Sequence, residues 1–209
     1  MTIYHSYKDE ADSLIKAGAF FHRRNWAPAT SGNYSLRISI DEFLMTVSGA
    51  HKGELRPQDF LVVNSVGEVV EAPNPGDRPS AETGLHTQLY SLDSECGAVL
   101  HSHSVLSTVV SRNTEGNEIV FSGYEMQKAF RGVGTHEGEV RIPVFENDQD
   151  IQRLASEVAT DVARNGLPVG YLIRGHGLYS WAEDVFGARR QIEALEFLME
   201  CEWMERRIR

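Results

Sequence analysis

The chain has few cysteines and no long apolar run. Its two cysteines among 209 residues, Cys96 and Cys201, form no CxxC pair, and we interpret them as free thiols. No hydrophobic stretch approaches the roughly 20 residues that a membrane-spanning helix needs. Residues 1–10 lack the apolar core of a signal peptide. Together these absences favour a cytoplasmic protein.

Basic residues are also scarce. The 20 lysines and arginines are outnumbered by 30 acidic residues, which gives a formal net charge of −10. Such a charge disfavours nonspecific binding to nucleic acid or to an anionic membrane, and we expect neither partner. It is compatible with a small anionic substrate, because the backbone amides of a local pocket can bind an anion whatever the global charge.

Apolar periodicity predicts the secondary structure. No repeat or Pro/Gly-rich linker divides the chain, so residues 1–209 are predicted to form one domain. Helical spacing covers 9–24, 80–92 (with Ser80 as N-cap), 148–165 and 183–207. Strand patterns cover 34–40, 43–47, 61–63, 68–70, 98–100, 140–145 and 169–173, while 105–111 fits either state. Short turns between adjacent strands predict an α/β fold with an antiparallel-rich sheet and helices on its faces.

Three histidines form a candidate metal site. His101 and His103 follow a buried strand at positions i and i+2, which point to the same side of an extended segment. His176 lies between two glycines, which allow a sharp turn and a close approach. Three neutral imidazoles leave a tetrahedral zinc ion one open position, as in catalytic sites, although they also suit iron, nickel or cobalt. The alternative is that the pair consists of ordinary surface or interface histidines.

Three small-residue loops are candidates for phosphate binding. They contain Gly32 and Asn33, Ser48 and Gly49, and Ser80 at a predicted helix start. Loops of Gly, Ser and Asn can direct their amides at a phosphate, and a helix N-terminus adds a favourable dipole. Each loop could equally be an ordinary turn, and the sequence does not determine whether the three meet.

The motifs together resemble one known family. SGN at 31–33, SGAHKGEL at 48–55, SAETGLH at 80–86, AVLHSHS at 98–104 and GHG at 175–177 are similar to the class II aldolase/adducin family. The resemblance implies a three-layer α/β/α sandwich around a mostly antiparallel sheet. It implies a homotetramer with active sites between neighbouring subunits and one Zn²⁺ per subunit on His101, His103 and His176. It implies a sugar-phosphate substrate, with the phosphate held by Gly32, Asn33, Ser48, Gly49 and Ser80.

Segments 79–86, 123–130 and 177–184 are most similar to the dehydratase branch of that family, which acts in methionine salvage. This resemblance implies zinc-dependent dehydration of 5-methylthioribulose 1-phosphate to 2,3-diketo-5-methylthiopentyl 1-phosphate. It implies that Glu125 is the acid/base that takes the C3 proton and protonates the leaving C4 hydroxyl. That double role calls for partial burial and a pKa raised toward neutrality. Glu82 is implied to work beside the zinc, as a resting-state ligand or in catalysis.

Two alternatives stay open. The same site suits a zinc-dependent aldolase or epimerase of fuculose 1-phosphate or ribulose 5-phosphate type, which would differ in products. An adducin-like interaction module without catalysis is an alternative of another class, against which the retention of all three histidines argues.

Overall fold

The computed structural model describes residues 3–208. The helices are α1 (Ile3–Ser6), α2 (Lys8–Arg23), α3 (Thr83–Leu92), α4 (Val105–Asn113), α5 (Ile151–Asn165) and α6 (Val185–Ile208). The strands are β1 (Asn33–Arg37), β2 (Glu42–Thr46), β3 (Phe60–Asn64), β4 (Val69–Glu71), β5 (Ala98–Ser102), β6 (Glu118–Ser122), β7 (Glu139–Phe145), β8 (Gly170–Ile173) and β9 (Gly177–Ala182). Short 3₁₀ helices cover Lys52–Glu54, Pro57–Asp59 and Glu125–Ala129. Over the same residues, no helix is long and apolar enough to cross a membrane.

Within the described residues, nine strands form one sheet in the order β4-β3-β2-β1-β5-β9-β8-β7-β6. All neighbours pair antiparallel except β7 and β8. The predicted mostly antiparallel sheet is therefore confirmed. β5 lies at the centre, between β1 and β9, so its side chains are buried from both sides.

Helices cover both faces of this sheet. Successive strand residues point to opposite faces, so Leu44 and Phe43 belong to two separate apolar cores. The first core includes Leu14 of α2 and Ile192 of α6, and the second includes Leu154 of α5 together with residues of α3. The three-layer α/β/α class is confirmed.

The start of α3 differs from the prediction. The helix begins at Thr83, and Glu82, not Ser80, occupies the N-cap position. The hydroxyl of Ser80 accepts a hydrogen bond from the amide of Glu82 (3.2 Å) and another from the side-chain amide of Asn33 (3.1 Å). Ser80 thus supports the turn before the helix and is held by a residue of β1.

Three segments were ambiguous or missed in the sequence. Residues 105–111 are part of helix α4, because the Ser104 hydroxyl caps the helix by accepting from the Ser107 amide (2.8 Å) despite the β-branched residues that follow. Strand β9 was not predicted, since all six of its residues are buried and show no polar–apolar alternation. Strand β6 was also missed.

Candidate active site

Strand β5 and the turn between β8 and β9 bring three imidazoles together. His101 is the fourth residue of β5, His103 follows the strand, and His176 precedes β9. The pairing of β5 with β9 places the two segments side by side. One ligand atom from each of the three histidines lies within 4.8 Å of the other two. The histidines that the sequence singled out therefore converge.

The glycines around His176 make this approach possible. Gly175 has a φ of +68°, which residues with a side chain rarely adopt. A Cβ atom on Gly177 would lie 2.2 Å from the carbonyl oxygen of Ser102 and 2.9 Å from Cε1 of His101. The expected sharp turn and close backbone approach are both present.

Hydrogen bonds orient two of the rings. Nδ1 of His101 donates to the carbonyl of Leu178 (3.1 Å), and Nδ1 of His176 donates to Oδ1 of Asn147 (3.3 Å). With these tautomers the Nε2 atoms are free to accept, and they lie 3.3 Å apart. A metal-ligating histidine typically donates its other ring N–H in this way. The donor set and its orientation therefore fit a divalent ion such as zinc.

Burial keeps the imidazoles of His101 and His103 neutral. Desolvation and the neighbouring histidines hold the pKa of His101 well below its usual range, and desolvation lowers the pKa of His103 to about 4. The ring of Tyr179 stacks on that of His101 at 4.0 Å and 14°. Neutral imidazoles are the form that binds a metal ion.

Glu82 lies directly beside the imidazoles. Its Oε2 is 3.5 Å from Nε2 of His101, and its Oε1 is 3.3 Å from Nε2 of His176. The same Oε2 accepts hydrogen bonds from the side-chain amide of Asn33 (2.8 Å) and the hydroxyl of Tyr179 (2.9 Å). The carboxylate is therefore held at the place where an ion bound by the histidines would lie.

A buried network behind the site fixes Asn33. The Oδ1 of Asn33 lies 2.5 Å from Nε2 of His86, whose Nδ1 is 2.7 Å from the hydroxyl of Ser35. Burial lowers the pKa of His86 to about 3, so that this ring is neutral as well. His86 is a buried residue of α3, and both of its ring nitrogens have hydrogen-bond partners.

The predicted phosphate residues line one cavity of about 320 Å³. His103 and His176 also line this cavity, and its walls include all five candidates, namely Gly32, Asn33, Ser48, Gly49 and Ser80. Gly32 and Gly49 both have positive φ, near +80°. The structure thus brings together three loops that the sequence could not join.

Lys52 also lines this cavity and was not singled out from the sequence. Its Nζ donates to the carbonyls of Thr30 (3.1 Å) and Ala50 (2.6 Å). Burial lowers the pKa of its amine to about 8. The signal that could have found it is a lysine three residues after Gly49, within a small-residue loop.

Glu125 lies outside this cavity. It starts the 3₁₀ helix after β6, and its side chain is 72% exposed. Its carboxylate contacts Nζ of Lys128 (2.6 Å) and Nδ1 of His136 (3.3 Å). The hydrogen bond from Lys128 lowers its pKa, whereas the sequence analysis expected partial burial and a raised pKa. A single chain therefore does not provide the burial that would raise the pKa of Glu125.

Comparison with known proteins gives consistent matches. Residues 12–203 match the family model described as Class II Aldolase and Adducin N-terminal domain. A methylthioribulose-1-phosphate dehydratase of Pseudomonas syringae pv. syringae (strain B728a) is 56% identical over 189 residues, covering 90% of this chain and 91% of the relative. A protein of the same name from Azotobacter vinelandii (strain DJ / ATCC BAA-1303) is 54% identical, covering 90% of each chain.

Solved structures share the fold. YgbL from Klebsiella pneumoniae superimposes with a TM-score of 0.79 at 24% identity, covering 98% of this chain and 91% of YgbL. L-Fuculose-1-phosphate aldolase from Thermus thermophilus superimposes with a TM-score of 0.74 at 22% identity, covering 93% of this chain and 94% of the aldolase. At these identities the likeness concerns the architecture alone.

Proposed function

The chain belongs to the class II aldolase and adducin family, and from that premise we propose that it is a zinc-dependent hydro-lyase of methionine salvage. Its substrate would be 5-methylthioribulose 1-phosphate and its product 2,3-diketo-5-methylthiopentyl 1-phosphate. The observation that carries the proposal is the convergence of three oriented imidazoles on a cavity lined by small-residue loops. Relatives of 53–56% identity that are named for this reaction support the substrate.

His101, His103 and His176 would hold one Zn²⁺ per subunit, with Glu82 as a fourth contact when no substrate is present. A zinc ion bound there supplies an electrophile that acidifies the hydrogen on C3, next to the C2 carbonyl. The Nδ1 hydrogen bonds to Leu178 and Asn147 would keep the rings aligned.

The loops that line this cavity would bind the phosphate. Gly32 and Gly49 allow backbone amides to approach it without steric conflict. Ser80 would add a hydroxyl donor, held in place by the hydrogen bond that its oxygen accepts from the side-chain amide of Asn33. The amine of Lys52 would supply the positive charge that the acidic chain otherwise lacks at this site.

Glu125 would be the acid/base group, acting from a neighbouring subunit of a homotetramer. It would accept the C3 proton and then protonate the C4 hydroxyl, which leaves as water, and the resulting enol tautomerises to the diketone. The exposure of Glu125 in its own chain supports this arrangement, since burial by a second chain would raise its pKa toward the range that general acid–base catalysis needs.

The direct test is turnover of 5-methylthioribulose 1-phosphate by purified protein with a measured metal content. We expect diketone formation that increases in proportion to bound zinc. Zinc-loaded protein that forms no diketone would contradict the proposal. The same reaction mixture is assayed for a triose or aldehyde fragment, because its release would establish the aldolase alternative instead.

A mixing experiment tests the shared site. Chains carrying His103→Asn and chains carrying Glu125→Gln, each inactive alone, are co-expressed with different tags and the mixed oligomers are isolated. If each site combines histidines from one chain with Glu125 of the next, random assembly restores about a quarter of wild-type activity. Failure to regain activity in mixed oligomers would show that Glu125 does not act across an interface.

The metal content of the purified protein distinguishes the enzyme from a non-catalytic adducin-like module. An adducin-like module has no need of the ion, so that stoichiometric zinc after purification argues for the enzyme and its absence for the module. That residues 1–209 form one catalytic domain and that the protein is cytoplasmic also remain proposals.

A further inference from the structure

A second cavity lies on the other side of the imidazoles. It has a volume of about 490 Å³ and shares His103, His176, Asn147 and Gln149 with the cavity that contains the phosphate candidates. The two cavities therefore meet at the candidate metal centre. An elongated ligand bound at the imidazoles can extend into both.

Part of the wall of this second cavity is aliphatic, alongside polar residues and a glycine. Pro28, Val105 and Val109 contribute to it. The two valines are four residues apart on α4, so they lie on the same side of the helix. Val105 is 75% exposed although it stands beside the candidate catalytic centre. An aliphatic surface in that position suits an apolar ligand group.

Helix α4 is held rigidly against the histidines. Its N-terminus follows His103 directly and is capped by Ser104. Further along, the hydroxyl of Thr108 lies 3.1 Å from the carbonyl oxygen of His176, to which it donates. The valines thus keep a fixed position relative to both segments that carry imidazoles.

We propose that Pro28, Val105 and Val109 form the binding site for the methylthio group of the substrate. The inference rests on the proposed function. The substrate carries phosphate on C1 and the methylthio group on C5, with oxygens on the carbons between. With the phosphate in the first cavity and the C2 and C3 oxygens at the imidazoles, C5 extends into the second cavity. Removal of the methylthio group from water then favours binding.

The first cavity offers a competing apolar wall. Ile151, Leu154 and Ile173 also line it. Leu154 and Ile173 are fully packed in the core, and they face the same space as the phosphate loops. That space holds the charged end of the substrate, so we assign the apolar end to the wall on α4.

The test is a change of selectivity. The double variant Val105→Ser/Val109→Ser is compared with wild type for kcat/KM on 5-methylthioribulose 1-phosphate and on ribulose 1-phosphate, which has a hydroxyl in place of the methylthio group. We expect the ratio of the two kcat/KM values to fall about tenfold, the scale of a lost apolar contact in a specificity pocket. Zinc content should stay at the wild-type level, which shows that the fall in the ratio does not come from loss of the metal. The matched control is Val120→Ser, at a 40%-exposed valine of strand β6, which should leave the ratio unchanged.

The outcomes are distinct. A ratio that stays unchanged in the double variant, or that falls instead in Ile151→Ser, overturns this assignment and leaves the proposed function in place. Zinc-loaded wild type that turns over neither sugar phosphate overturns the proposed function, and the assignment with it.

Discussion

The carboxylates of Glu82 and Glu125 have opposite surroundings: the first is mostly buried and the second is mostly exposed. Glu82 is 13% exposed, accepts hydrogen bonds from Asn33 and Tyr179, and lies within 3.5 Å of two imidazoles. Glu125 is 72% exposed and pairs with Lys128 and His136 at the end of the edge strand β6. One carboxylate is positioned by the centre of its own sheet, whereas the other lies at the sheet's rim.

The two surroundings suit two different roles, metal binding and acid/base catalysis. A metal centre needs its ligands fixed before the ion arrives, and hydrogen bonds from β1 and β9 provide that for Glu82. An acid/base group needs a pKa near neutrality, which an exposed carboxylate beside a lysine does not have. The acid/base role proposed for Glu125 therefore requires contacts that a neighbouring subunit would supply.

The largest effect is expected on the histidine side of the comparison. His103→Asn removes one of the three proposed zinc ligands, so we expect bound zinc to fall and kcat/KM to drop at least about 10³-fold. Metal analysis and steady-state kinetics on the same sample measure both. His22→Asn, at an exposed helix position, is the control and should change neither. Full zinc occupancy in His103→Asn would remove this residue from the metal site.

The variant Glu125→Gln tests the exposed carboxylate of the comparison. The amide cannot exchange protons, so kcat should fall by about 10²- to 10³-fold while zinc content stays at the wild-type level. The control is Glu137→Gln, at an exposed residue that follows His136 in the chain. A Glu125→Gln protein with its zinc and full turnover would show that the rim carboxylate is not the acid/base group.

A third prediction concerns Lys52, which lines the cavity proposed to bind the phosphate. Lys52→Met removes the buried cation, and KM should rise about tenfold, with a smaller change in kcat. Because burial lowers the pKa of this amine to about 8, the free protein loses the positive charge above that pH. Wild-type kcat/KM should therefore fall on the alkaline side of pH 8, and the variant should lack that step. Lys16→Met, at an exposed lysine, serves as control. An unchanged KM for Lys52→Met would exclude a phosphate role.

A third carboxylate, Glu196 of α6, shows how burial within a single chain raises a carboxyl pKa. It is 3% exposed, and desolvation raises its pKa to about 8 from 4.5, although the hydroxyl of Ser104 donates to it at 2.8 Å. Between these two pH values the native state holds a proton that the unfolded chain releases, so the free energy of unfolding falls as pH rises.

Glu196→Gln stays neutral throughout. Its melting temperature should match wild type near pH 5 and exceed it by on the order of 5 °C at pH 8. Thermal unfolding followed from pH 5 to pH 8 measures the difference, with Glu193→Gln as the control on the same helix. A constant difference across this range would mean that Glu196 is ionised in the native state throughout.

Much of the fold was predictable because its rules are local. Helix α5 ends at Gly166, which has a φ of +83°, and its stripe of Leu154 and Val158 packs on the sheet as the helical spacing indicated. Strand β9 was not predicted, because all of its residues are buried and its sequence therefore does not alternate between polar and apolar residues. Segment 105–111 was decided by a cap, Ser104, whose role depends on how β5 ends.

The sequence by itself determined the chemistry of the candidate site. Its residue types and spacings identified the His101–His103 pair, the glycine-flanked His176 and the small-residue loops. Only the tertiary structure decided which of these meet. Pairing of β5 with β1 and β9 places Asn33 and Tyr179 on either side of His101. The folded chain also joins loops spread over residues 32–80 into one cavity, with Lys52 among them. Local patterns encode what each segment can do, whereas proximity depends on strand order and packing, which no short window of sequence contains.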